Sequence, residues 1–431
     1  MSKDILIYKK TGLSDVPSDW EIKKLEDLTS KIIDGTHHTP TYTESGVPFL
    51  RVTDIKEGKI DWNNTKYISL DEHQQLIKRC KPEKGDFLLS KNGTIGVVKL
   101  VDWDEEFSIF VSLCLIKPKK ELIDPNFLKH FLDSDIVHLQ YKLRAKTGTV
   151  TNLHLEEIRE LDIAVPSIKE QRKIAAILSS VDEAIEKTEA IIEQTEKVKK
   201  GLMQQLLTKG IGHTKFKKTE IGEIPEEWEV KRLDEIAKVS GGKRLPKGKS
   251  LTSVKNDHPY IRVADMQEDG ISLENIQYVP TDVAKSIRRY TVNAGDIYIS
   301  VAGTLGLVGI VPPELDGANL TENADRISNI KCNNIFLKYV LQSDLIQSII
   351  EREKTISAQP KLALTRIKGF LIPIPSVEEQ KKIADILLAV EKKLKSEKQK
   401  HVQLLLIKKG LMQVLLTGKV RVKVDDEVVS S

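Results

Sequence analysis

Two glycine-rich turns are the first residues of this sequence whose types and spacing suggest chemistry. Gly93-x-x-Gly96 and Gly303-x-x-Gly306 offer bare backbone N–H groups of the kind that hold phosphate. Both turns lie between predicted strands, and neither has the Lys-Ser/Thr ending that leads into a helix in a nucleotide-binding loop. The sequence therefore favours a structural turn over a phosphate site at both places.

Paired histidines and a short group of carboxylates are the other candidates for chemistry. His37-His38 could ligate a metal ion, but no second cluster of His, Cys or carboxylate residues completes four ligands. Asp54 with Glu57-Gly58-Lys59 has a weak similarity to a nuclease carboxylate set, yet such triples arise by chance in a chain with 30% charged residues. We therefore predict no metal site and no catalytic residues, and we interpret His37-His38 as part of a loop that contacts a partner.

Basic and polar residues gather in the predicted loops of both halves of the chain. Lysine side chains can bind phosphate, whereas Arg, Asn, Gln and His side chains can bind the edges of bases. Taken singly, each cluster is also compatible with an ordinary solvated surface, and only their recurrence in both halves indicates a DNA-binding surface. The candidates are Thr36, His37, His38, Lys91, Asn92, Lys146 and Thr149 in the first half, and Lys243, Arg244, Lys247, Arg288, Arg289, Lys354, Gln359 and Lys361 in the second.

The overall composition limits the classes of protein to consider. A chain of 431 residues is too long for one ordinary core and suggests two or three domains. The formal net charge of +4 permits a polyanionic partner without establishing one. Three isolated cysteines show no C-x-x-C spacing, and no stretch reaches the apolar length of a membrane span. We expect a cytoplasmic protein without disulfides, zinc or membrane contact.

An internal repeat organises the elements that must position these residues. Pro17-x-x-Trp20 returns as Pro225-x-x-Trp228, 208 positions later. The segments 48–54 and 85–96 return as 259–265 and 295–306, and the loops between these matching segments differ most. The chain is therefore a tandem duplication in which one scaffold presents two different surfaces.

Each half ends in a long predicted helix. Pro166-Ser167 through Glu170-Gln171 and Pro375-Ser376 through Glu379-Gln380 are capping boxes, in which the serine accepts from the third helical N–H and the glutamate reaches back to the cap. Apolar residues then recur every three to four positions, which is typical of a coiled-coil seam. A helix from Ser167 to about Thr208 would be roughly 60 Å long, and the second copy is its expected partner.

The expected fold class is α+β, with mixed α/β globular domains and two long antiparallel coiled-coil helices in a tandem, pseudo-two-fold arrangement. Predicted strands in the globular parts come from β-branched and aromatic runs, and residues 126–143 have helical spacing. The expected boundaries are 1–165 for the first globular part, 166–212 for the first helix, 213–373 for the second globular part, 374–420 for the second helix and 421–431 for a flexible acidic tail.

This layout resembles the specificity (S) subunit of type I restriction-modification systems over essentially the full chain. The residues that carry the resemblance are Pro17-x-x-Trp20, Pro225-x-x-Trp228, Pro166-Ser167 through Glu170-Gln171 with Ile174, and Pro375-Ser376 through Glu379-Gln380 with Ile383. The resemblance implies that each globular part is a target recognition domain that reads one half of a split, asymmetric DNA site. It also implies that the two helices pack antiparallel and hold those domains apart.

The resemblance further implies the partners and cofactors of the chain. Methylation (M) subunits, two of them, would carry S-adenosylmethionine, and restriction (R) subunits would use ATP and Mg²⁺, so the chain itself would hold no cofactor. An apolar platform at the helix ends is the expected contact for the M subunits, although packing within the helix pair is an equal explanation. Its candidates are Leu202, Met203, Leu206, Leu411, Met412 and Leu415.

Two other classes of function are compatible with parts of this pattern. A coiled-coil adaptor with protein-binding ends would share the helices but would bind its partners with little dependence on salt, unlike a DNA-binding protein. A fused restriction-modification enzyme would need a methylase or nuclease domain, for which the sequence has no motif.

Overall fold

The computed structural model describes residues 8–10, 15–56, 58–146, 151–267, 270–354 and 361–423. These residues divide into two compact units. The first unit takes the described residues up to Glu189 together with those from Gln399 onward, and the second unit runs from Ala190 to Lys398. Each unit therefore combines one globular part with a piece of each long helix.

The first unit is built from short strands, four small helices and the start of a long helix. Its strands are β1 (Tyr8–Lys10), β2 (Asp15–Pro17), β3 (Glu21–Lys24), β4 (Thr29–Asp34), β5 (Tyr42–Thr43), β6 (Val47–Leu50), β7 (Ile55–Lys56), β8 (Lys59–Ile60), β9 (Lys66–Ile68), β10 (Phe87–Ser90), β11 (Val98–Leu100), β12 (Ser108–Ile109), β13 (Leu113–Pro118) and β14 (Asp162–Val165). Its helices are α1 (Leu70–Ile77), α2 (Pro125–Leu132), α3 (Asp135–Arg144), α4 (Leu155–Arg159) and the beginning of α5 (Ile168–Thr208).

The second unit repeats this plan. Its strands are β15 (Phe216–Thr219), β16 (Gly222–Pro225), β17 (Glu229–Arg232), β18 (Lys238–Gly241), β19 (Pro259–Ile261), β20 (Met266–Gln267), β21 (Gly270–Ile271), β22 (Gln277–Tyr278), β23 (Ile297–Ser300), β24 (Val308–Ile310), β25 (Asn319–Leu320), β26 (Ala324–Ser328) and β27 (Leu371–Ile374). Its helices are α6 (Leu233–Ile236), α7 (Thr281–Ile287), α8 (Asn334–Gln342), α9 (Asp344–Lys354), α10 (Leu364–Lys368) and the beginning of α11 (Val377–Leu415).

A four-stranded antiparallel sheet is the centre of each unit. Its strand order is β11-β10-β13-β4 in the first unit and β24-β23-β26-β18 in the second. One face packs on the small helices and the long helices. In the first unit, Phe87 of β10, Phe127 of α2 and Ile174 of α5 belong to the same apolar cluster. The other face covers a smaller apolar cluster that includes Leu88 and Leu115. Because both faces of the sheet are buried, its strands are nearly continuous apolar runs and do not alternate between apolar and polar residues.

The long helices pack together and run antiparallel within each unit. In the first unit, Lys408 Nζ lies 2.7 Å from Asp182 Oδ1 and His401 Nε2 lies 3.2 Å from Glu189 Oε1, so later residues of α11 meet earlier residues of α5. In the second unit, Lys398 Nζ lies 2.7 Å from Glu196 Oε1. The mixed α and β units, the tandem halves and this helix pair confirm the predicted fold class.

Half of the predicted capping box is present at each helix start. Ser167 Oγ accepts from the N–H of Glu170 at 3.3 Å, and Ser376 Oγ accepts from that of Glu379 at 3.2 Å. The prediction that these glutamates reach back to the cap was wrong. Glu170 instead accepts two bonds from Arg421, at 2.7 and 2.9 Å, because a buried carboxylate is better satisfied by a guanidinium than by one N–H.

The glutamines of the repeated motif tie each long helix to its unit. Gln171 Oε1 accepts from the N–H of Asp124, the cap of α2, at 2.7 Å, and its amide donates to Pro166 O at 2.9 Å. Gln380 makes the same two contacts with Asn333 N and Pro375 O, each at 2.9 Å. The glutamine of the repeated Glu-Gln pair therefore holds the start of each long helix against a small helix of its unit.

Both glycine-rich turns are structural, as the sequence favoured. Gly93 and Gly96 have φ values of 76° and 88°, in the left-handed region that favours glycine. Ser90 closes the turn, since its carbonyl accepts from Gly96 N at 3.0 Å and its hydroxyl accepts from Val97 N at 2.8 Å. Ser300 closes the second turn with the same bonds to Gly306 N and Leu307 N, at 3.0 and 2.8 Å.

Asp54 also has a structural role. Its side chain is 1% exposed and accepts from Arg51 at 2.7 and 3.0 Å, and Asp265 and Arg262 make the same pair at 2.6 and 3.0 Å. A carboxylate that is enclosed in this way cannot bind a catalytic metal ion without losing its arginine.

Among the described helices, none is long and apolar enough to cross a membrane.

Candidate nucleic-acid interface

In the first unit, the end of β4 forms a charged corner of the central sheet. Asp34 is 4% exposed and lies opposite Cys114 of β13. Arg79 Nη2 lies 2.6 Å from Asp34 Oδ1, and Lys91 Nζ lies 3.4 Å from Asp34 Oδ2. Burial alone would raise the pKa of Asp34, but the hydrogen bond from Arg79 and the charge of Lys91 outweigh it and lower the pKa. The corner therefore holds an ionised carboxylate at neutral pH.

The predicted residues Thr36, His37 and His38 continue from this corner. They line a cavity of about 340 Å³ together with Arg79 and Cys80. His37 Nε2 lies 3.2 Å from Asp34 Oδ2, and Thr36 Oγ1 lies 2.7 Å from His38 Nδ1. Both histidine rings are exposed, whereas Thr36 is 8% exposed. Two exposed imidazoles beside a fixed carboxylate can donate to or accept from a polar ligand in this cavity.

Lys91 lies in a different setting from a phosphate-binding lysine. The residue is 5% exposed, and its ammonium is held against Asp34 inside the unit. The next residue, Asn92, forms a bridge with Asn152, and Lys146 forms a second bridge with the same residue. The structure thus brings Asn92 and the exposed Lys146 together around Asn152, while Thr149 lies outside the described residues.

In the second unit, the equivalent corner is at the end of β18. A cavity of about 290 Å³ is lined there by Gly241, Gly242, Arg289, Tyr290 and Arg326, among others. The predicted residue Lys243 places its ammonium 5.8 Å from the centre of the Tyr290 ring. Arg288 and Arg289 are both exposed and form a short 3₁₀ helix after α7. Of the predicted basic residues, Arg289 therefore lines this cavity, and Lys243 lies near Tyr290, another of its lining residues.

The other predicted residues of the second unit are placed separately. Arg244 Nε lies 3.4 Å from Glu322 Oε1, and Lys247 is exposed. Lys361 is exposed and forms a bridge with Ala302, the position that corresponds to Asn92. Gln359 and the side chain of Lys354 lie outside the part that the structure describes.

Several residues at these corners were not predicted from the sequence. They are Asp34, Arg79, Tyr290, Asp325 and Arg326. Arg79 and Arg289 are 210 positions apart, the same offset as Gly85 and Gly295, so aligning the two copies could have paired them. Asp34 and Asp325 carry no such signal, because the matching residue is Gly241 in one case and Cys114 in the other.

The apolar candidates at the helix ends belong mostly to the cores. Leu206 is 6% exposed and Leu415 is 3% exposed, and each lies in the main apolar cluster of its unit. Leu202 and Met203 are partly buried against the core of the second unit, as Leu411 and Met412 are in the first. Met203 also lines a cavity of about 410 Å³ with Leu207 and Gln342. Packing within the units accounts for the two leucines that are buried.

Ligand clusters and cysteine thiols bear on whether these surfaces could hold a metal ion or a reactive sulfur. The described residues contain no cluster of three His, Cys, Asp or Glu side chains that could hold a metal ion. Burial raises the pKa of Cys80 and of Cys332 to about 11, so both thiols stay protonated at neutral pH.

A family model and several known proteins match this architecture. The model "Type I restriction modification DNA specificity domain" matches residues 17–197 and 225–406, once in each half. A protein of Methanocaldococcus jannaschii named for the specificity subunit of the type I restriction enzyme MjaX is 31% identical over 432 residues, which are 96% of this chain and 97% of that protein. The EcoBI specificity subunit of Escherichia coli is 23% identical over 402 residues, covering 89% of this chain and 81% of that protein.

Two solved structures show the same fold. The S subunit of a type I restriction-modification system from M. genitalium has a TM-score of 0.59 and 20% identity, and the match covers 92% of this chain and 96% of that chain. A chain from a study of complex assembly and conformational transition of the type I R-M system has a TM-score of 0.55 and 17% identity, with 94% and 99% covered.

These matches confirm the resemblance that the repeated motifs indicated. S subunits are non-catalytic, and S-adenosylmethionine and ATP are bound by the methylation and restriction subunits of the complex. The family model covers both halves, and the match to the M. jannaschii protein runs along nearly the full length of both chains. The chain therefore belongs to the family of DNA specificity subunits of type I restriction-modification systems.

Proposed function

We propose that the two globular parts, residues 1–165 and 213–373, are target recognition domains that each read one half of a bipartite, asymmetric DNA site. The observation that carries this proposal is the contrast at the two sheet corners. The central four-stranded sheets repeat in strand order, whereas Asp34 and Lys91 of the first unit are replaced by Gly241 and Val301 in the second. Unlike side chains on a common frame are what two unlike half-sites require.

In the first domain, His37, His38, Asn92 and Lys146 are the side chains that we assign to DNA contact. The histidines are exposed beside a cavity, and Asn92 lies at a bridge next to the exposed Lys146. Imidazole and amide groups can discriminate base edges in the major groove, and lysine can hold phosphate. We assign Lys91 a supporting role, because its ammonium neutralises Asp34 inside the unit.

In the second domain, the exposed Lys243, Lys247, Arg288, Arg289 and Lys361 are the corresponding basic residues. Arg244 can still reach DNA from its ion pair with Glu322, whose side chain is 31% exposed. The assignment extends to Thr149, Lys354 and Gln359 by their positions in the sequence alone.

The long helices, in residues 166–212 and 374–420, would set the distance between the half-sites. α5 has 41 residues and α11 has 39, so each is about 60 Å long at about 1.5 Å per residue. Such a length is compatible with reading major grooves about one DNA turn, roughly 34 Å, apart when the domains overhang the helices.

The chain would act in the cytoplasm within a complex of two methylation subunits and with restriction subunits. Leu202, Met203, Leu411 and Met412 are the helix-end residues that keep partial exposure and remain candidates for a contact with the methylation subunits. Replacing Met203 and Met412 by Glu should weaken co-purification with the methylation subunit. Unaltered co-purification would refute this contact.

Methylation mapping tests the DNA-reading function directly. Adenine methylation is compared between cells that express this chain with its cognate methylation subunit and cells that lack this chain. We expect a split motif only when the chain is present. Exchanging residues 14–165 for those of a relative with a different specificity should change one half of the motif and leave the other half unaltered. A motif with both halves unchanged after the exchange would contradict the assignment of one half-site to each domain.

A further inference from the structure

The two cavities described above share part of their lining, since Arg79, Cys80 and Ile109 of the first cavity correspond to Arg289, Tyr290 and Leu320 of the second. Arg79 follows α1 and lines the first cavity, and Arg289 follows α7 and lines the second. Thr36 N donates to Ile109 O in the first unit, and Lys243 N donates to Leu320 O in the second, at 3.1 and 2.8 Å. The chain therefore leaves the central sheet in the same way beside both cavities.

In the first unit, the arginine of the cavity makes three hydrogen bonds and an ion pair inside the unit. Arg79 donates to both the carboxylate and the carbonyl of Asp34, at 2.6 and 2.9 Å, and to Gly35 O at 2.9 Å. Its charge is compensated by a carboxylate that is 4% exposed. A guanidinium whose charge is already paired with a carboxylate attracts an incoming anion less than an unpaired guanidinium does.

In the second unit, the compensating carboxylate is missing. Gly241 stands opposite Asp325 in the register in which Asp34 stands opposite Cys114. Within the described part of the chain, Arg289 has no ion pair and no side-chain hydrogen bond, and neither has Arg288. The carboxylate of Asp325 does not replace the one at Asp34, because its Oδ2 atom is buried without a hydrogen-bond partner. Burial raises the pKa of Asp325 to about 6, against the opposing charges of Lys361 and Lys368.

The remaining groups around the second cavity favour an anion as well. Lys238 and Arg326 line it, and Arg326 donates to Thr291 O. Lys243 reaches the face of Tyr290 from the rim. The acidic side chains close by are used elsewhere, since Glu322 pairs with Arg244 and Asp282 pairs with Lys249. Lys238, Arg289 and Arg326 thus line a cavity whose lining residues include no carboxylate, and an anion that entered it would lower the electrostatic energy of these cations.

Two glycines, Gly241 and Gly242, line the second cavity where β18 ends. A Cβ atom at Gly242 would lie 2.0 Å from Thr321 O, so only glycine fits there. At Gly241 a Cβ atom would meet Asp325 Oδ1 at 3.4 Å, an ordinary contact, so glycine is not required for packing. The absence of a side chain at Gly241 is therefore a chemical difference from Asp34, and it leaves the arginine of the cavity uncompensated.

We propose that the cavity between β18 and the Arg288–Tyr290 turn binds one backbone phosphate of DNA through Arg289 and Lys243, and that the first domain lacks an equivalent phosphate site because Asp34 already occupies Arg79. This inference rests on the proposed function and adds that the two domains use this corner for different kinds of DNA contact. The second domain gains affinity at this corner, whereas the first uses the same corner for polar side chains that can discriminate bases.

The test is the salt dependence of DNA binding by the complex of this chain with its methylation subunits, measured on the motif found by methylation mapping. Each phosphate that the protein neutralises contributes about 0.9 to the slope of log Kobs against log salt. Arg289→Gln should reduce that slope by about 1 and weaken binding to matched and mismatched DNA alike, with the methylated motif unchanged. Lys243→Gln should act in the same direction, and Arg289→Lys should keep the slope.

Arg79→Gln is the matched contrast in the first unit. It should leave the slope unaltered but lower the thermal unfolding temperature, because Asp34 and two carbonyls lose their donor. An unchanged slope for Arg289→Gln overturns the proposal, and so does a changed second half of the motif, which would make Arg289 a base contact. If the unaltered complex methylates no split motif, the proposed function fails and this inference fails with it. If only the phosphate-site proposal is wrong, the unaltered complex still methylates the split motif.

Discussion

At the scale of single residues, a buried carboxylate contributes to stability according to its partners, and Asp325 and Asp34 are opposite cases. Burial raises the pKa of Asp325 to about 6, and the charges of Lys361 and Lys368 only partly offset the effect. The folded-state pKa therefore lies above the unfolded value, so ionised Asp325 destabilises the fold. This penalty is absent below the unfolded pKa and complete above pH 6.

Replacing Asp325 by Asn should therefore stabilise the protein at pH 8, by about 1 to 2 kcal/mol. The gain should shrink as the pH falls from 6 towards 4, where the carboxyl group is protonated in both states. Denaturant unfolding at several pH values measures it, with Asp257→Asn, at an exposed position of the same unit, as the control. Equal stability of Asp325→Asn and the parent chain at pH 8 would show that Asp325 is compensated in a way that these contacts do not explain.

Asp34 is satisfied on all sides, so its loss should be costly. Asp34→Ala removes the partner of Lys91, which is 5% exposed, and we expect a loss of about 3 to 5 kcal/mol at neutral pH because an ammonium is left buried and unpaired. Because the pKa of Asp34 is lowered in the fold, the stabilising contribution of the carboxylate is present above its unfolded pKa and is lost as the pH falls through the lower folded-state value. Thermal unfolding of Asp34→Ala, beside Asp104→Ala in an exposed pair with Lys84, gives the comparison. A loss no larger than that of Asp104→Ala would contradict the buried-pair argument.

At the scale of elements, one carboxylate on each long helix clamps a small helix and the other long helix. In the first unit Asp182 of α5 lies 2.7 Å from Lys408 and 3.7 Å from Lys129 of α2. In the second unit Glu391 of α11 lies 2.9 Å from Lys338 of α8 and 3.8 Å from Lys199. The two clamps are the same arrangement with the roles of α5 and α11 exchanged.

The second clamp should be the stronger one. Tyr339 donates to Glu391 at 2.8 Å, whereas the equivalent His130 is kept neutral because burial lowers its pKa to about 4. Glu391→Ala should cost about 3 to 5 kcal/mol, since Lys338 is 7% exposed and would be left unpaired. Calorimetry of this variant, with the exposed Glu193→Ala as the control for a helix carboxylate, measures the difference. Similar unfolding temperatures for the two variants would rule out an anchoring role.

At the scale of the whole molecule, the helices should act as a spacer whose length can be changed. Inserting seven residues into each helix, near 190 in α5 and near 400 in α11, adds about 10.5 Å and keeps the apolar face in phase to about 20°. We expect the spacer in the methylated motif to grow by about 3 base pairs while both half-sites stay the same. Methylation mapping measures the spacer. As the control, residues near 190 and near 400 are substituted without an insertion, which separates the effect of helix length from that of a change in sequence. An unaltered spacer would show that the helices do not set it.

Patterns that are local in the chain could be predicted from the sequence alone. The duplication, the two long helices and the serine caps follow from spacing that repeats at fixed offsets. α5 runs from Ile168 to Thr208, close to the helix predicted from Ser167 to about Thr208 and inside the wider expected segment 166–212. The structural nature of the turn at Gly93 also followed, because left-handed φ angles and neighbouring strands are properties of a few adjacent residues. The family resemblance rests on these same patterns.

The tertiary structure decided everything that depends on residues distant in the chain. It buried Lys91 against Asp34, 57 positions away, and turned Glu170 towards Arg421 rather than its own helix cap. It also placed Leu206 and Leu415 in cores, where a helical stripe alone could not distinguish packing from a partner surface. Charge compensation and burial are set by which side chains meet in space, and this is why Arg79 and Arg289, alike in sequence position, differ in what they can bind.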